Sequence, residues 1–238
     1  MKKILIFGGT EDGRELAERL SENKELIITL SVATELGKEL VGSDKINVLM
    51  GRLDQNQIKD IIGENDIIID ATHPYAVEVS KNIALVVRDK KLLRLLREES
   101  KLIGAVMAEN IKDACSKCGS GNVLAATGSK QIAEYTCLDR VYARVLPTKE
   151  SVKLCYDAGL DDEHIIKHFG RNTVEENIEV INKYEIKNLI TKDGGNRGGF
   201  KEKKRAAEIT GAKFIVIKRP NEEGYSLEEL LRILGDLR

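Results

Sequence analysis

Short apolar runs alternate with apolar stripes spaced three and four residues apart along this whole chain, and that alternation leaves few architectures open. Ile4–Phe7, Leu26–Leu30, Ile46–Met50, Asp66–Asp70 and Leu92–Leu96 read as strands. Between them, Leu16, Ala17 and Leu20, then Ile58, Ile61 and Ile62, then Ala76, Val79, Ile83 and Val86 mark helices. The pattern restarts with Val123–Ala126, Val141–Val145, Ile165–Phe169, Leu189–Thr191 and Phe214–Ile217. Here the helices carry Val174, Ile178, Ile181 and Tyr184, then Ala206, Ala207 and Ile209; a last one shows Leu227, Leu230, Leu231 and Leu234. Such alternation specifies right-handed βαβ units and parallel sheets covered by helices. The expectation is an α/β protein of two Rossmann-like domains, residues 1–97 and 98–238, with parallel sheets flanked by helices and an interdomain cleft. The charged run Glu98-Glu99-Ser100-Lys101 marks the junction.

Charge and composition narrow the partners. The 38 basic and 39 acidic residues are interleaved and leave a net charge of −1, which argues against a nucleic-acid surface. The lack of Trp disfavours base-stacking platforms. No apolar stretch approaches the ~20 residues of a membrane span. Met1-Lys2-Lys3 leads straight into a strand without signal-peptide architecture, so a cytoplasmic protein is expected, monomeric or a small homo-oligomer. Cys115 and Cys118 form a C-x-x-C on a predicted surface helix, Ile111 to Cys118, with no second Cys or His pair at zinc spacing. Ordinary thiols, surface histidines at His164 and His168, and no metal are the expectation.

The run Asp70-Ala71-Thr72-His73-Pro74-Tyr75 carries the most chemistry. It follows a buried-type strand, Ile67-Ile68-Ile69, and precedes a helix whose first turn suits Pro74. Asp70, Thr72 and His73 are therefore predicted at the carboxyl end of a strand, where open α/β sheets bind ligands. Ile6-Phe7-Gly8-Gly9-Thr10-Glu11-Asp12-Gly13-Arg14 reads as strand, glycine turn and helix. Such a turn lets backbone approach a phosphate at a helix N-terminus. The spacing is not G-x-G-x-x-G, and Arg14-Glu15 replaces the Lys-Ser/Thr of a Walker loop. The second strand ends in Ser31-Val32-Ala33-Thr34, with no acid before Glu35. Ser31 and Thr34 can bond a hydroxyl or a phosphate, so NADH and NADPH both stay open.

In the second half, Thr127-Gly128-Ser129 repeats the strand–turn–helix arrangement. The loop Thr191-Lys192-Asp193-Gly194-Gly195-Asn196-Arg197-Gly198-Gly199 sets glycines and cations at a strand's end, which suits capture of carboxylates or phosphates. Arg144, near the end of another strand and just before Pro147, is a similar candidate. The charged run Lys201-Glu202-Lys203-Lys204-Arg205 reads as a solvated face.

Taken in order, these motifs, with Gly51-Arg52-Leu53-Asp54 and Lys218-Arg219-Pro220, resemble the precorrin-6A reductase family of cobalamin biosynthesis. The resemblance runs from the first strand to the last. It departs at Gly194-Gly195, where a Ser-Gly pair is expected. It implies an oxidoreductase acting on a CH–CH group, using NADPH or NADH to convert (cobalt-)precorrin-6A to (cobalt-)precorrin-6B. On that reading Gly8, Gly9, Thr10 and Gly13 meet the pyrophosphate, with Ser31 and Thr34 near the adenosine ribose. Asp70, Thr72 and His73 line the cofactor side, and His73 and Tyr75 face nicotinamide or macrocycle without a confident general acid. Ser129, Arg144, Lys192, Gly194 and Gly195 are the candidates for the substrate's acetates and propionates. The alternatives are a dinucleotide-binding regulatory module, which needs only the first glycine turn, and an NAD(P)-dependent reductase of another substrate.

Overall fold

The computed structural model describes residues 1–97, 100, 102–195 and 198–235. It divides into two compact units, residues 1–98 with 220–238, and residues 99–219.

The first unit runs β1 (Lys2–Phe7), α1 (Glu11–Leu20), β2 (Leu26–Val32), α2 (Glu35–Glu39), β3 (Ile46–Met50), α3 (Gln55–Gly63), β4 (Ile67–Asp70), α4 (Val77–Val87) and β5 (Lys91–Arg94). Its strands pair in the order β3-β2-β1-β4-β5, all parallel. Strand alternation divides the core between two faces. Ile4, Ile6, Ile28 and Leu30 pack with Leu16, Ala17 and Leu20 of α1, whereas Leu5, Phe7 and Ile68 pack with Ile58 and Ile62 of α3 and Ile83 and Val87 of α4. Side-chain caps fix where helices start: Thr10 accepts from Gly13 N–H, and Asp54 and Gln57 form a capping box. Each is worth about 1 kcal/mol. Helix α4 starts three residues later than Pro74, which lies instead in the turn closed by Ala76 N–H to His73 O, 2.7 Å. Its exposed Val79 is no part of the buried stripe.

The second unit runs β6 (Val106–Ala108), α5 (Ile111–Ser116), β7 (Asn122–Ala126), a 3-10 turn (Ile132–Tyr135), β8 (Val141–Val145), α6 (Lys149–Asp157), β9 (Ile165–Lys167), α7 (Val174–Lys183), β10 (Ile186–Lys192), α8 (Phe200–Thr210) and β11 (Lys213–Ile217). Its order is β6-β11-β10-β7-β8-β9, again all parallel. The chain steps outward from β7 to β9, then returns to the other side of β7. The carboxyl ends of β7 and β10 are therefore this sheet's switch point.

The expected second domain, 98–238, is corrected at its end. Helix α9 (Leu227–Gly235) rejoins the first unit, where Leu230 and Leu234 are fully buried against the α1 face of the sheet. The returning segment is tied on by Leu96 N–H to Tyr225 O (2.8 Å) and Tyr225 N–H to Arg94 O (2.9 Å). Gly224 approaches Arg94 so closely that a Cβ would stand 2.5 Å from its carbonyl oxygen, a fit that only glycine allows. Of the predicted junction, Glu98, Glu99 and Lys101 lie outside the described residues; Ser100 is buried.

The predicted surface helix, Ile111 to Cys118, is α5, which ends at Ser116 and so leaves Cys118 outside it, and it packs Ile111, Ala114 and Cys115 inward. Burial pushes the Cys115 thiol up to about 12, so it is protonated and a poor nucleophile at neutral pH. All four cysteines are free. Among the described residues no cluster of His, Cys, Asp or Glu is arranged to hold a metal ion, and no helix is long and apolar enough to cross a membrane.

Candidate active site

In the first unit the strand order reverses at β1, and the glycine turn sits at that strand's carboxyl end. Gly8 N–H continues the sheet by donating to Ser31 O, 2.8 Å. Gly9 then takes φ +101°, in the region that favours glycine, with open space where a Cβ would be. Thr10 closes the turn twice over. Its Oγ1 accepts from Gly13 N–H at 3.0 Å and donates to Ala71 O at 3.0 Å, linking the turn to the end of β4. At Gly13 a Cβ would lie 2.9 Å from the Ala71 Cβ, so glycine lets α1 approach β4. The turn borders a cavity of about 460 Å³ lined by Gly9, Thr10, Arg14, Val32, Thr34 and Gly37 among others.

Two features of this cavity were beyond sequence reasoning. Arg14 lines it; the residue looked like a defect in a Walker loop and is a cation beside a glycine turn. Ser31 does not line it. It pairs in register with Phe7 and shares the α3 face, while Leu30 and Val32 point to the α1 face. Thr34 does line the cavity. Its Oγ1 accepts from Gly37 N–H at 3.2 Å, which leaves the hydroxyl proton to donate. The acid among the lining residues is Glu11, in the first turn of α1 and not at the tip of β2.

Asp70 and Thr72, expected at the cofactor, are committed elsewhere. Asp70 Oδ1 accepts from Thr72 N–H (3.0 Å), Thr72 Oγ1 (2.7 Å) and Arg94 Nη1 (2.9 Å). Arg94 Nη1 also reaches the Asp70 and Thr72 carbonyls, both at 3.1 Å, and Nη2 meets Glu222 at 3.0 Å. Both Asp70 and Thr72 are buried. The network holds the strand-end turn in place. What it presents is His73, which is exposed, its Nδ1 accepting from Tyr75 N–H at 3.3 Å and its ring 5.7 Å from that of Tyr75.

The residues expected to bind substrate in the second unit fall on opposite faces of its sheet. Leu189 and Thr191 alternate with Lys192, and Leu189 belongs to the core under α7 and α8. Lys192 therefore lies on the other face, its Nζ 2.6 Å from Gln131 Oε1. Burial lowers its pKa. Ser129, following the Gly128 turn (φ +84°), donates to Ser151 Oγ at 3.1 Å. Arg144 lies on the α7 and α8 face and donates to Asn177 Oδ1 at 2.7 Å. Burial brings Arg144 down to about 10, with Glu176 opposing. Gly194 and Gly195 are buried in a loop held by Asp193, which accepts from Gly195 N–H (3.1 Å) and pairs with Arg219 (2.9 Å). Asn196 and Arg197 of that loop lie outside the described residues.

Lys203, read from the sequence as part of a solvated face, is tucked inward. Its Nζ donates to Gly198 O (2.7 Å) and Gly199 O (3.2 Å). Burial, together with Arg144 and Arg171 and against Glu202, brings it down to about 7.

Residues 3–235 match the family model described as precorrin-6x reductase CbiJ/CobK. Cobalt-precorrin-6A reductase of Methanocaldococcus jannaschii is 30% identical over 251 residues, covering 99% of each chain. The enzyme of that description from Salmonella typhimurium is 34% identical over 230 residues, covering 91% of this chain and 87% of the relative. The solved structure of CobK precorrin-6A reductase, 20% identical, superposes with a TM-score of 0.76 over 99% of this chain and 97% of its own, and so shares the fold. With its two parallel sheets, its glycine turn at the first switch point and a family match spanning both units, the chain belongs to the precorrin-6A reductase family of cobalamin biosynthesis.

Proposed function

We propose that the chain reduces a macrocycle double bond of precorrin-6A, or of its cobalt complex, with NADPH as hydride donor. The observation that carries the cofactor choice is the cavity beside Gly9. Its wall offers Arg14 and the Thr34 hydroxyl, while the tip of β2 lacks the acid that would accept the ribose hydroxyls of NADH. When bound, the reduced nicotinamide supplies the hydride. Gly9 and Thr10, at the N-terminus of α1, suit the pyrophosphate through backbone N–H groups and the helix dipole. Asp70, Thr72 and Arg94 hold the turn that carries His73 and Tyr75, and those two rings face the nicotinamide or the macrocycle. No protein nucleophile is required, because positioning and exclusion of water do most of the work of hydride transfer.

The test supplies precorrin-6A or cobalt-precorrin-6A with NADPH or NADH and follows nicotinamide absorbance. Oxidation with kcat/KM about tenfold or more in favour of NADPH is expected, by loss of the Arg14 contact. No oxidation with either macrocycle would overturn the reading.

A Gly9→Val substitution places a β-branched residue at φ +101° and fills the approach to the helix N-terminus. NADPH affinity, read by fluorescence titration, should fall by about tenfold or more. Intact affinity would remove the turn from the site.

A further inference from the structure

A basic groove of about 340 Å³ opens at the carboxyl edge of the second unit's sheet, between α6 and the end of β9. Pro147, Val152 and the Tyr156 ring form its apolar wall, and Lys149, Lys153 and Lys167 bring its charge. Among the described residues that line it, none is acidic. Strand register fixes its face. Lys167 pairs with Val145 and alternates with Ile166, which packs on the α7 and α8 core, so Lys167 lies on the opposite face with Lys192. Hydroxyls join the groove to the switch point. Thr148, in its lining, donates to Ser151 Oγ at 3.0 Å, and Ser129 donates to the same oxygen at 3.1 Å.

The fold has little use for these lysines. Lys149 stands in the first turn of α6, where the helix dipole favours an acid. Among the described residues it has no ion pair. A charge set against local preference points to a use outside the fold. Lys153 pairs with Asp157 at 2.6 Å and Lys167 with Asp162 at 3.4 Å. Both pairs are exposed and therefore weak, so either ammonium turns to an incoming anion at small cost. Asp162 also accepts from the Tyr156 hydroxyl at 2.8 Å, which sets that ring beside the Lys167 ammonium.

We infer that this groove is a carboxylate subsite for the rim of the macrocycle: Lys149 and Lys167 receive an acetate or propionate, and the Tyr156 ring covers its hydrocarbon stem. The inference rests on the function proposed above and extends the Ser129 and Lys192 side of its substrate site. The chemistry selects the substrate's acids over the dinucleotide's phosphates. A phosphate is met by cations and N–H donors alone. This groove sets its cations against an apolar wall, which matches a carboxylate carried on a short hydrocarbon chain. The cavity beside Gly9 already offers the dinucleotide a cation and a helix N-terminus in the first unit.

The test measures the KM for macrocycle and for NADPH separately, and the macrocycle Kd by equilibrium dialysis without nicotinamide. The double variant Lys149→Glu with Lys167→Glu is expected to raise macrocycle KM and Kd about tenfold, with the NADPH KM unchanged. Tyr156→Ala should raise both macrocycle constants several-fold. Lys149→Arg with Lys167→Arg should stay near wild type. All three positions are exposed, and an acid in the first turn suits α6, so the melting temperature of Lys149→Glu should hold or rise while binding falls. If wild-type protein turns over and the double variant keeps wild-type macrocycle KM and Kd, the subsite is wrong and the proposed function stands. If the NADPH KM rises instead, the groove takes a dinucleotide phosphate and the assignment to the macrocycle is overturned. If wild-type protein neither binds nor reduces the macrocycle, the function reading fails and the subsite with it.

Discussion

Removal of residues 220–238 is expected to unfold the first unit. Leu230 and Leu234 are completely buried in the core shared with Ile4, Leu16, Ala17 and Leu20, and Leu227, Leu231 and Ile233 pack against it. Two full burials and three partial ones amount to roughly 5–10 kcal/mol at about 1.5–3 kcal/mol per fully buried side chain. That is comparable with the whole net stability of a domain. The cut also removes the Tyr225 backbone partners beside β5 and takes Glu222 from Arg94, exposing an edge and unbalancing a buried charge. Hydrogen exchange would show the loss. Amides of β1, β2 and β4 should exchange without protection, while those of β7 and β10, whose core draws nothing from the deleted segment, stay protected. Full protection of β1 in the truncated chain would contradict the packing.

This C-terminal return is also where sequence reasoning stops. The leucine spacing of α9 announces a helix with one apolar face, but local spacing does not say which sheet that face covers; chain order suggested the nearer one. Strand β6, three residues on an edge, is too short to leave a period. Most remaining strands were legible because a parallel strand buried on both faces is apolar without interruption, as Ile67-Ile68-Ile69 is. The glycine turn was legible for a related reason: positive φ at Gly9 and the close approach at Gly13 admit few other residues.

Side-chain roles were less legible. Asp70 and Thr72 sit at a ligand-binding edge, yet their partner Arg94 is 24 and 22 residues away in sequence, on the next strand over. Only the β4–β5 pairing brings it alongside. Arg144 and Lys192 look alike as cations near strand ends, and their opposite faces follow only once each register is known. Lys203 lay within a run of charges that looked solvated. It is half-buried, its Nζ turned back onto the carbonyls of Gly198 and Gly199 that precede its own helix.

Substitution of Arg94 by Ala is expected to destabilise the first unit by about 3–5 kcal/mol, the usual cost of removing one partner from a buried ion pair. The side chains of Arg94 and Asp70 are 12% and 6% exposed, so little water can replace the lost guanidinium. Asp70 Oδ1 would keep only its bonds from Thr72, and Glu222 would face no cation there. The melting transition should fall on the order of 10 °C for a chain of this size. Arg94→Lys should recover little, since one ammonium cannot span two carboxylates and two carbonyls as the planar guanidinium does. A double variant, Arg94→Met with Asp70→Asn, should lose less than the sum of the single changes, because each single change leaves an orphaned partner. The same network fixes the backbone of Thr72, immediately before His73. NADPH affinity measured well below the lowered melting temperature should therefore fall in Arg94→Ala even where the unit is fully folded. A stable variant with unchanged affinity would mean that the turn holds its shape without Arg94, and that Asp70 is available to a ligand after all.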